Sequence, residues 1–289
     1  GVYVDGTVGG GGHARLILEK SAPDGFLIGI DRDGEAIEKA YQALSSFGSR
    51  VFLYRGSFAE IDEALLAAGK NALDGVFLDL GVSSHQLDRE ERGFSFLRDA
   101  SLDMRMDTSS GITAREAVNT LAEEELSRVF REYGEERYAR RIARRIVERR
   151  EEKPLDTTLE LAELVRQAVP GGGSRYRIHP ATRVFQALRI LVNGELEHLR
   201  EGLEKSVDLL VPGGILMVLT YHSLEARIVK EVFSREARSC ICPPGLPVCV
   251  CNHQPRLALL ASKGVKPQDE EIAANPRSRS ALLRGARRL

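Results

Sequence analysis

The sequence lacks tryptophan, any long hydrophobic run and any appreciable net charge. Its 41 Lys and Arg residues nearly balance its 42 Asp and Glu residues. This balance argues against a protein that coats nucleic acid through unpaired cations alone, although it leaves room for local basic faces. No run approaches the roughly 18 apolar residues of a membrane span, and the start has no signal peptide. We therefore expect a cytoplasmic protein with no membrane association.

Cysteine is scarce, and all of it falls in "CICPPGLPVCVC", as Cys240, Cys242, Cys249 and Cys251. Two pairs joined by a Pro-rich loop can present four thiolates to Zn²⁺, but Cys-x-Cys is a less typical half-site than Cys-x-x-Cys. The alternative is a surface hairpin of reduced or oxidisable thiols. From the sequence we assign no metal.

Apolar runs of strand length alternate with helical patterns along the first part of the chain. The runs "GVYV", "GFLIGID", "VFLYRGSF" and "LDGVFLDLG" are each followed by a helical segment or a loop, and "ILMVLTYHS" is a fifth. This alternation predicts an α/β fold with a parallel sheet and helices on both faces. Three of the strands end on acids, at Asp5, Asp31 and Asp79.

The alternation of strand and helix patterns stops between about Leu102 and Asn193, where nearly every segment is helical or polar. Such a stretch is too long for a crossover and has the size of an inserted helical subdomain. We predict a sheet domain in two parts, residues 1–103 and 195–289, around a helical insert at 104–194.

Four consecutive glycines, Gly9 to Gly12, lie between the first strand and the first helix. Such a turn lets backbone N–H groups approach a ligand closely. Asp31, about 20 residues further on, suits the two hydroxyls of a ribose, which serves NAD and S-adenosylmethionine equally well. Asp5, just before the loop, suits the ammonium group of S-adenosylmethionine better. The alternative is a glycine-rich turn with two solvated acids.

Several longer motifs run along the whole chain. They are "VDGTVGGGGHA", "GIDRD", "DLGVSSHQLD", "RGFSF", "LDMRMD", "FQALRI" with "VNGEL", "HSLEARIVK" and "NPRSRSALLR". In this set the sequence resembles the bacterial 16S ribosomal RNA cytidine-N(4) methyltransferases, the RsmH (MraW) family.

The resemblance implies a Rossmann-like class I S-adenosylmethionine methyltransferase domain with an inserted all-helical subdomain. It also implies a cytidine in the decoding region of 16S rRNA, in the small ribosomal subunit, as the target. Matched motif by motif, the cofactor-binding residues are Gly11, Gly12 and His13 in the loop, Asp31 on the ribose, Phe58 beside the adenine, Asp79 at the end of the fourth strand, and Gln86 after it. From the residues alone, Phe58 is a core aromatic and Gln86 a surface residue.

The sequence departs from the family in one respect. In the family, an N-terminal segment with a His-x-Pro-Val motif normally precedes the first strand. This sequence begins at that strand, so we expect a truncated chain.

The exocyclic amine of cytosine is a poor nucleophile, because its lone pair is delocalised into the ring. An enzyme must hold the nitrogen in line with the methyl group and accept one of its N–H protons in a hydrogen bond. Many amino-methyltransferases carry Asp/Asn-Pro-Pro-aromatic after the fourth strand, where this chain has Asp79, Leu80, Gly81 and Val82. We predict Asp79, or the carbonyl of Leu80, as the acceptor.

His222, at the end of the fifth strand, is the second catalytic candidate, as a base-edge partner or proton acceptor. The alternative is that it caps the helix beginning near Ser223, as Glu225 three residues later suggests. An aromatic side chain must stack on the splayed-out base. The candidates are Phe94, Phe96, Tyr221 and His222.

The helical insert is the predicted RNA surface. In "ERYARRIARRIVERR" the apolar residues Tyr138, Ile142 and Ile146 share one helix face. The flanks then carry Arg140, Arg141, Arg144, Arg145 and Arg149, which can meet phosphates. The alternative is a solvated face paired with neighbouring Glu residues. "SRYRIHPATR" and the tail "NPRSRSALLRGARRL" add further cations.

Two other functions are compatible with parts of the pattern. A nucleotide-dependent oxidoreductase is disfavoured by Asp5 and by the lack of a site for a hydride partner. A non-catalytic RNA-binding ribosome-assembly factor that retains only the fold predicts weak or absent cofactor binding, which calorimetric titration measures. The sequence predicts no oligomeric state.

Overall fold

The computed structural model describes residues 1–81, 92–173, 178–243 and 248–289. The chain forms two compact units, one made of Gly1–Gly81 with Leu196–Leu289 and the other of Val82–Glu195. The sequence places the first boundary at residue 103, later than the structure does. The reason is that Phe94, Leu102 and Met104 are buried in the core of the helical unit, so the segment before residue 104 packs with the helices.

The first unit contains a seven-stranded sheet with the order β3-β2-β1-β4-β5-β7-β6. Its strands are β1 (Val2–Asp5), β2 (Phe26–Asp31), β3 (Val51–Arg55), β4 (Leu73–Asp79), β5 (Leu210–Thr220), β6 (Leu257–Leu259) and β7 (Leu282–Arg288). The first five are parallel and β7 is antiparallel to both of its neighbours. The predicted α/β fold class is confirmed.

The helices of the first unit follow the strands as the hydrophobic pattern predicts. They are α1 (Gly12–Lys20), α2 (Gly34–Leu44), α3 (Ile61–Ala67), most of α9 (Glu195–Leu209), α10 (Ser223–Glu236) and α11 (Asp269–Ala274). One apolar cluster joins the central strands to α3, α9 and α10, and a smaller one packs α1 and α2 against Leu27.

The C-terminal segment differs from the expected basic tail. Residues Leu282–Arg288 pair with β5 on one side and β6 on the other, and Ala286 is completely buried. The composition of Leu-Leu-Arg-Gly-Ala-Arg-Arg hides this strand in the sequence, because three arginines and a glycine break the apolar alternation that is typical of strands.

The second unit is helical. Its described helices are α4 (Ala114–Thr120), α5 (Glu123–Glu132), α6 (Ala139–Glu152), α7 (Thr158–Ala168) and α8 (Ala181–Asn193). Phe130, Ile142, Ile146 and Leu188 are fully buried in one core. Across the described part of both units, no helix has the length and apolar character needed to span a bilayer.

Candidate active site

The glycine loop lies in a notch at the carboxyl edge of the sheet. Asp5, the last residue of β1, is opposite Gly29 and Phe77, whereas β2 and β4 continue for two more residues. The loop fills this gap, since the N–H of Gly6 donates to Phe77 and that of Val8 to Ile30, each at 2.9 Å. Sequence order reverses around β1, and ligands bind at such a switch point in doubly wound sheets.

Backbone conformation requires glycine at two positions of this loop. Gly9 and Gly11 have φ of 51° and 83°, in the left-handed region. Gly11 is the N-cap of α1 and, as a glycine, offers no capping side chain to the first N–H groups of the helix. A Cβ at Gly10 or Gly12 would meet nothing within 4 Å. The loop therefore borders open space, as a ligand site requires.

Three carboxylates converge around the loop from neighbouring strand ends, those of Asp5, Asp31 and Asp79. Asp5 is buried, and its Oδ2 has no hydrogen-bond partner among the described residues. Burial, reinforced by the charges of Asp79 and Asp31, raises the pKa of Asp5 to about 7. Burial also raises the pKa of Asp31 and of Asp79. A cation here would relieve this repulsion, whereas a pyrophosphate would add to it.

Asp31 is fixed by the backbone of the loop. Its Oδ2 accepts from the N–H of Gly9 at 2.9 Å, and its Oδ1 accepts from the N–H of Asp33 at the same distance. A carboxylate has about four lone-pair positions, and a backbone contact from Arg32 uses a third, so Asp31 keeps room for about one more donor. Asp31 ties the glycine loop to β2.

Asp79 is held by three neighbours. The hydroxyl of Tyr221 donates to its Oδ1 at 2.8 Å, and its backbone N–H donates to Oγ1 of Thr7 at 2.7 Å. Its Oδ2 lies 3.7 Å from Nδ1 of His13, whose ring packs edge-on against Phe77. The Tyr221 and His13 contacts lower the pKa of Asp79 and oppose the effect of burial.

The sequence names Tyr221 as a stacking candidate and misses its contact with Asp79. The structure makes it a hydrogen-bond donor whose own pKa is raised, first by burial and then by Asp79. Strand order could have indicated this contact. Parallel strands β4 and β5 are adjacent, so residues at their carboxyl ends meet at one edge of the sheet.

Phe58 follows β3 at the same edge of the sheet and is half-buried. Ser57 and Glu60 form a capping box that fixes the turn around it. A Cβ on Gly202 of α9 would lie 2.5 Å from Cδ2 of Phe58, and one on Gly6 would lie 3.0 Å from its Cβ. Two glycines therefore make room for this side chain beside the loop.

His222 is the N-cap of α10, as the capping alternative predicts. Its Nδ1 accepts from the N–H of Glu225 at 3.4 Å, and Glu225 Oε2 accepts from the N–H of Tyr221 at 2.7 Å. The His222 Nε2 is buried 3.1 Å from Oε1 of Glu225 and makes no hydrogen bond within the described residues. Glu225, which the sequence offers only as a helix signal, thus positions Tyr221 beside Asp79. A catalytic role for His222 stays a prediction.

The other predicted residues lie elsewhere. Gln86 lies outside the described residues. Phe94 is buried in the core of the helical unit, and Phe96 of the same unit packs its ring 4.9 Å from His179 and 4.8 Å from Phe185. Stacking on a base by Phe94 would require it to leave that core, so Phe96, Tyr221 and His222 are the partly exposed candidates.

On α6, Ile142 and Ile146 are completely buried, while four arginines are exposed: Arg140, Arg141, Arg144 and Arg145. Arg144 and Arg145 each pair with Glu148 at 3.0 Å. Exposed pairs of this kind contribute little to stability, so phosphates can compete for these side chains.

The whole sequence, residues 1–289, matches the profile of the MraW methylase family. The chain belongs to the MraW methylase family. Its relatives named ribosomal RNA small subunit methyltransferase H include that of Syntrophotalea carbinolica, 64% identical over 288 residues, covering 100% of this chain and 92% of the relative. That of Geotalea daltonii is 56% identical over 289 residues, covering 100% and 93%.

Membership of the MraW methylase family makes this chain a methyltransferase that uses S-adenosylmethionine. The residues present fit that cofactor. It carries two positive charges, a sulfonium and an ammonium, and the notch offers three carboxylates, one with an unpartnered buried oxygen. The glycine loop supplies the open space beside them.

Proposed function

We propose that this protein methylates the exocyclic amine of one specific cytidine in the decoding region of 16S rRNA. The observation that carries the proposal is the Asp79 carboxylate, which is fixed by Tyr221 through Oδ1 and keeps Oδ2 to accept a hydrogen bond. An acceptor fixed at the end of β4 is what an amine nucleophile needs, because accepting an N–H localises the lone pair.

S-adenosylmethionine supplies a methyl group already activated on a sulfonium. The N–CH₃ bond forms as the S–CH₃ bond breaks; the electron pair goes to sulfur and the amine loses one proton. Asp79 orients the amine and takes up that proton. Its pKa, raised by burial, makes it a better proton acceptor than a solvated aspartate.

Within the cofactor site we assign one task to each residue. Asp5 and the open N-terminus of α1 lie at the methionine end, where Gly11, Gly12 and His13 begin the helix. Asp31 accepts from a ribose hydroxyl, and Phe58 lies beside the adenine. Glu225 supports the Tyr221–Asp79 contact through the backbone of the β5–α10 turn.

The helical unit recognises RNA in this proposal. The exposed face of α6 carries four arginines on a helix whose other face is buried. Arg forks bind phosphate bidentately, which favours backbone contacts with folded RNA over base reading. Because the overall charge of the protein is balanced, RNA binding depends on local basic surfaces such as this face.

The test compares Asp79→Asn with Asp74→Asn, at opposite ends of β4. Asp74 Oδ2 accepts from the N–H of Val2 at 2.7 Å, at the amino end of the strand. Each variant is incubated with radiolabelled-methyl S-adenosylmethionine and small ribosomal subunits from cells lacking the activity. Mass spectrometry then maps the modified nucleoside.

We expect one N4-methylcytidine with the wild type and with Asp74→Asn, and a loss of about 100-fold or more with Asp79→Asn. Methyl transfer to another base or atom would overturn the choice of substrate. Weak or absent cofactor binding together with no methyl transfer would favour the ribosome-assembly function. A parallel reaction with free 16S rRNA tests whether an assembled subunit is needed.

A further inference from the structure

The four cysteines form a cluster that methyl transfer leaves unexplained. They lie between α10 and the edge strand β6, in the connection from Ala237 to Arg256. Helix α10 begins at the Tyr221–His222 turn and is 14 residues long, so it spans about 21 Å. The cysteine loop therefore follows the end of α10 that is remote from Asp79.

The four sulfur atoms converge on one point. The Sγ of Cys249 lies 3.5 Å from that of Cys240, 3.5 Å from that of Cys251 and 4.0 Å from that of Cys242. The Sγ atoms of Cys240 and Cys251 are 3.8 Å apart, and all four lie within 4.8 Å of one another.

These distances match a single tetrahedral ion. Four thiolates about 2.3 Å from a central Zn²⁺ have S–S separations of about 3.8 Å. No pair among the four is joined as a disulfide. We propose that Cys240, Cys242, Cys249 and Cys251 bind one Zn²⁺ ion that holds this loop in place.

Backbone groups support the same arrangement. The N–H of Ile241 donates to Sγ of Cys251, and the N–H of Val250 donates to Sγ of Cys242, each at 3.4 Å. Each donor lies between the two cysteines of one pair and reaches across to the other pair. Amide donors directed at sulfur stabilise thiolates, which are the form that binds a metal.

Nothing apolar among the described residues holds the loop together. Ile241, Val248 and Val250 are 45%, 70% and 73% exposed. The described residues from Ala237 to Arg256 form no helix or strand, and loops of more than roughly 12–15 residues without secondary structure are uncommon. A bound ion replaces the missing core, as it does in small zinc-stabilised folds.

The base of the loop is anchored separately. Arg256 donates through Nε to buried Glu236 at 2.6 Å and through Nη1 to Asp208 at 2.5 Å. His253 is the only histidine in the connection, and its Nε2 lies 3.1 Å from the carbonyl of Arg235. The ion is therefore held by sulfur alone.

The test measures metal in the full chain purified without an affinity tag. We expect about one zinc per chain by inductively coupled plasma mass spectrometry, and at least a fivefold loss in Cys242→Ser and in Cys249→Ser. The control His253→Gln is expected to keep its zinc. Calorimetric titration of S-adenosylmethionine, which depends on the remote notch, is expected to give wild-type affinity in all three variants.

A second measurement covers the case in which the serine variants do not fold. Wild-type protein stripped by a chelator is titrated with Co²⁺, and the expected result is the absorption of a tetrahedral cobalt–thiolate centre at one equivalent. Zinc retained by both serine variants would overturn the proposal. So would iron in place of zinc, or protein that contains no zinc and shows the mass of two disulfides under non-reducing conditions.

Discussion

Tyr221→Phe tests whether Asp79 works as a charged acceptor. The change removes only the hydroxyl that donates to Asp79 Oδ1 at 2.8 Å and keeps the ring that a base can stack on. Burial raises the pKa of Asp79, and the Tyr221 donor lowers it. Removing the donor must therefore raise the pKa of Asp79 further.

The size of the effect follows from the strength of such a bond. A hydrogen bond to a charged acceptor contributes about 1.5–3 kcal/mol, and one pKa unit corresponds to about 1.4 kcal/mol. We expect the pKa of Asp79 to rise in the variant, because burial then acts without the Tyr221 donor to oppose it. The anionic form is then lost at a correspondingly higher pH.

The assay is methyl transfer to small ribosomal subunits, measured as kcat/KM between about pH 5.5 and 9. The acidic limb of the profile is expected to move to higher pH. The deficit of the variant should be largest at low pH and shrink as pH rises, because Asp79 is ionised in both proteins at high pH.

The matched control is Tyr54→Phe, which removes a hydroxyl lying 3.4 Å from Glu63 on another part of the same unit. We expect its pH profile to equal that of the wild type. An activity ratio between Tyr221→Phe and wild type that stays constant with pH would refute the reasoning. Tyr221 would then act through the shape of the pocket and not through the charge of Asp79.

Three further results are expected. Asp5 has a pKa of about 7 in the fold against 3.8 in the free side chain, so the stability of the fold falls as pH rises through that interval. At a pH above 7, Asp5→Asn should therefore raise the midpoint of thermal unfolding. The same variant should weaken cofactor binding about tenfold in calorimetry. Gly11→Ala should cost about 1–2 kcal/mol in denaturant unfolding because of its left-handed φ, whereas Gly12→Ala should keep stability and weaken cofactor binding by filling open space. Arg140→Glu with Arg141→Glu should weaken subunit binding and lower the slope of log K against log salt by at least about 1, without changing cofactor affinity.

The local sequence pattern was sufficient to predict those strands and helix ends whose structure depends on neighbouring residues in the chain. The strands before Asp5, Asp31 and Asp79 were predictable because short apolar runs followed by acids and glycines have few alternative structures. The cap of α10 was also readable, since His222 and Glu225 stand three residues apart. The core that Leu102 joins was not predictable, because nothing in the local sequence indicates it.

What the sequence alone determined is the class of chemistry: a glycine loop flanked by acids at successive strand ends, and the motifs of a methyltransferase family. What only the tertiary structure decided is which of these groups meet. The Tyr221–Asp79 hydrogen bond joins residues 142 positions apart, and β7 enters the sheet between β5 and β6 from a segment with the composition of a basic tail. Such contacts depend on the pairing order of the strands, which is set by packing of the whole sheet and leaves no trace in short-range periodicity.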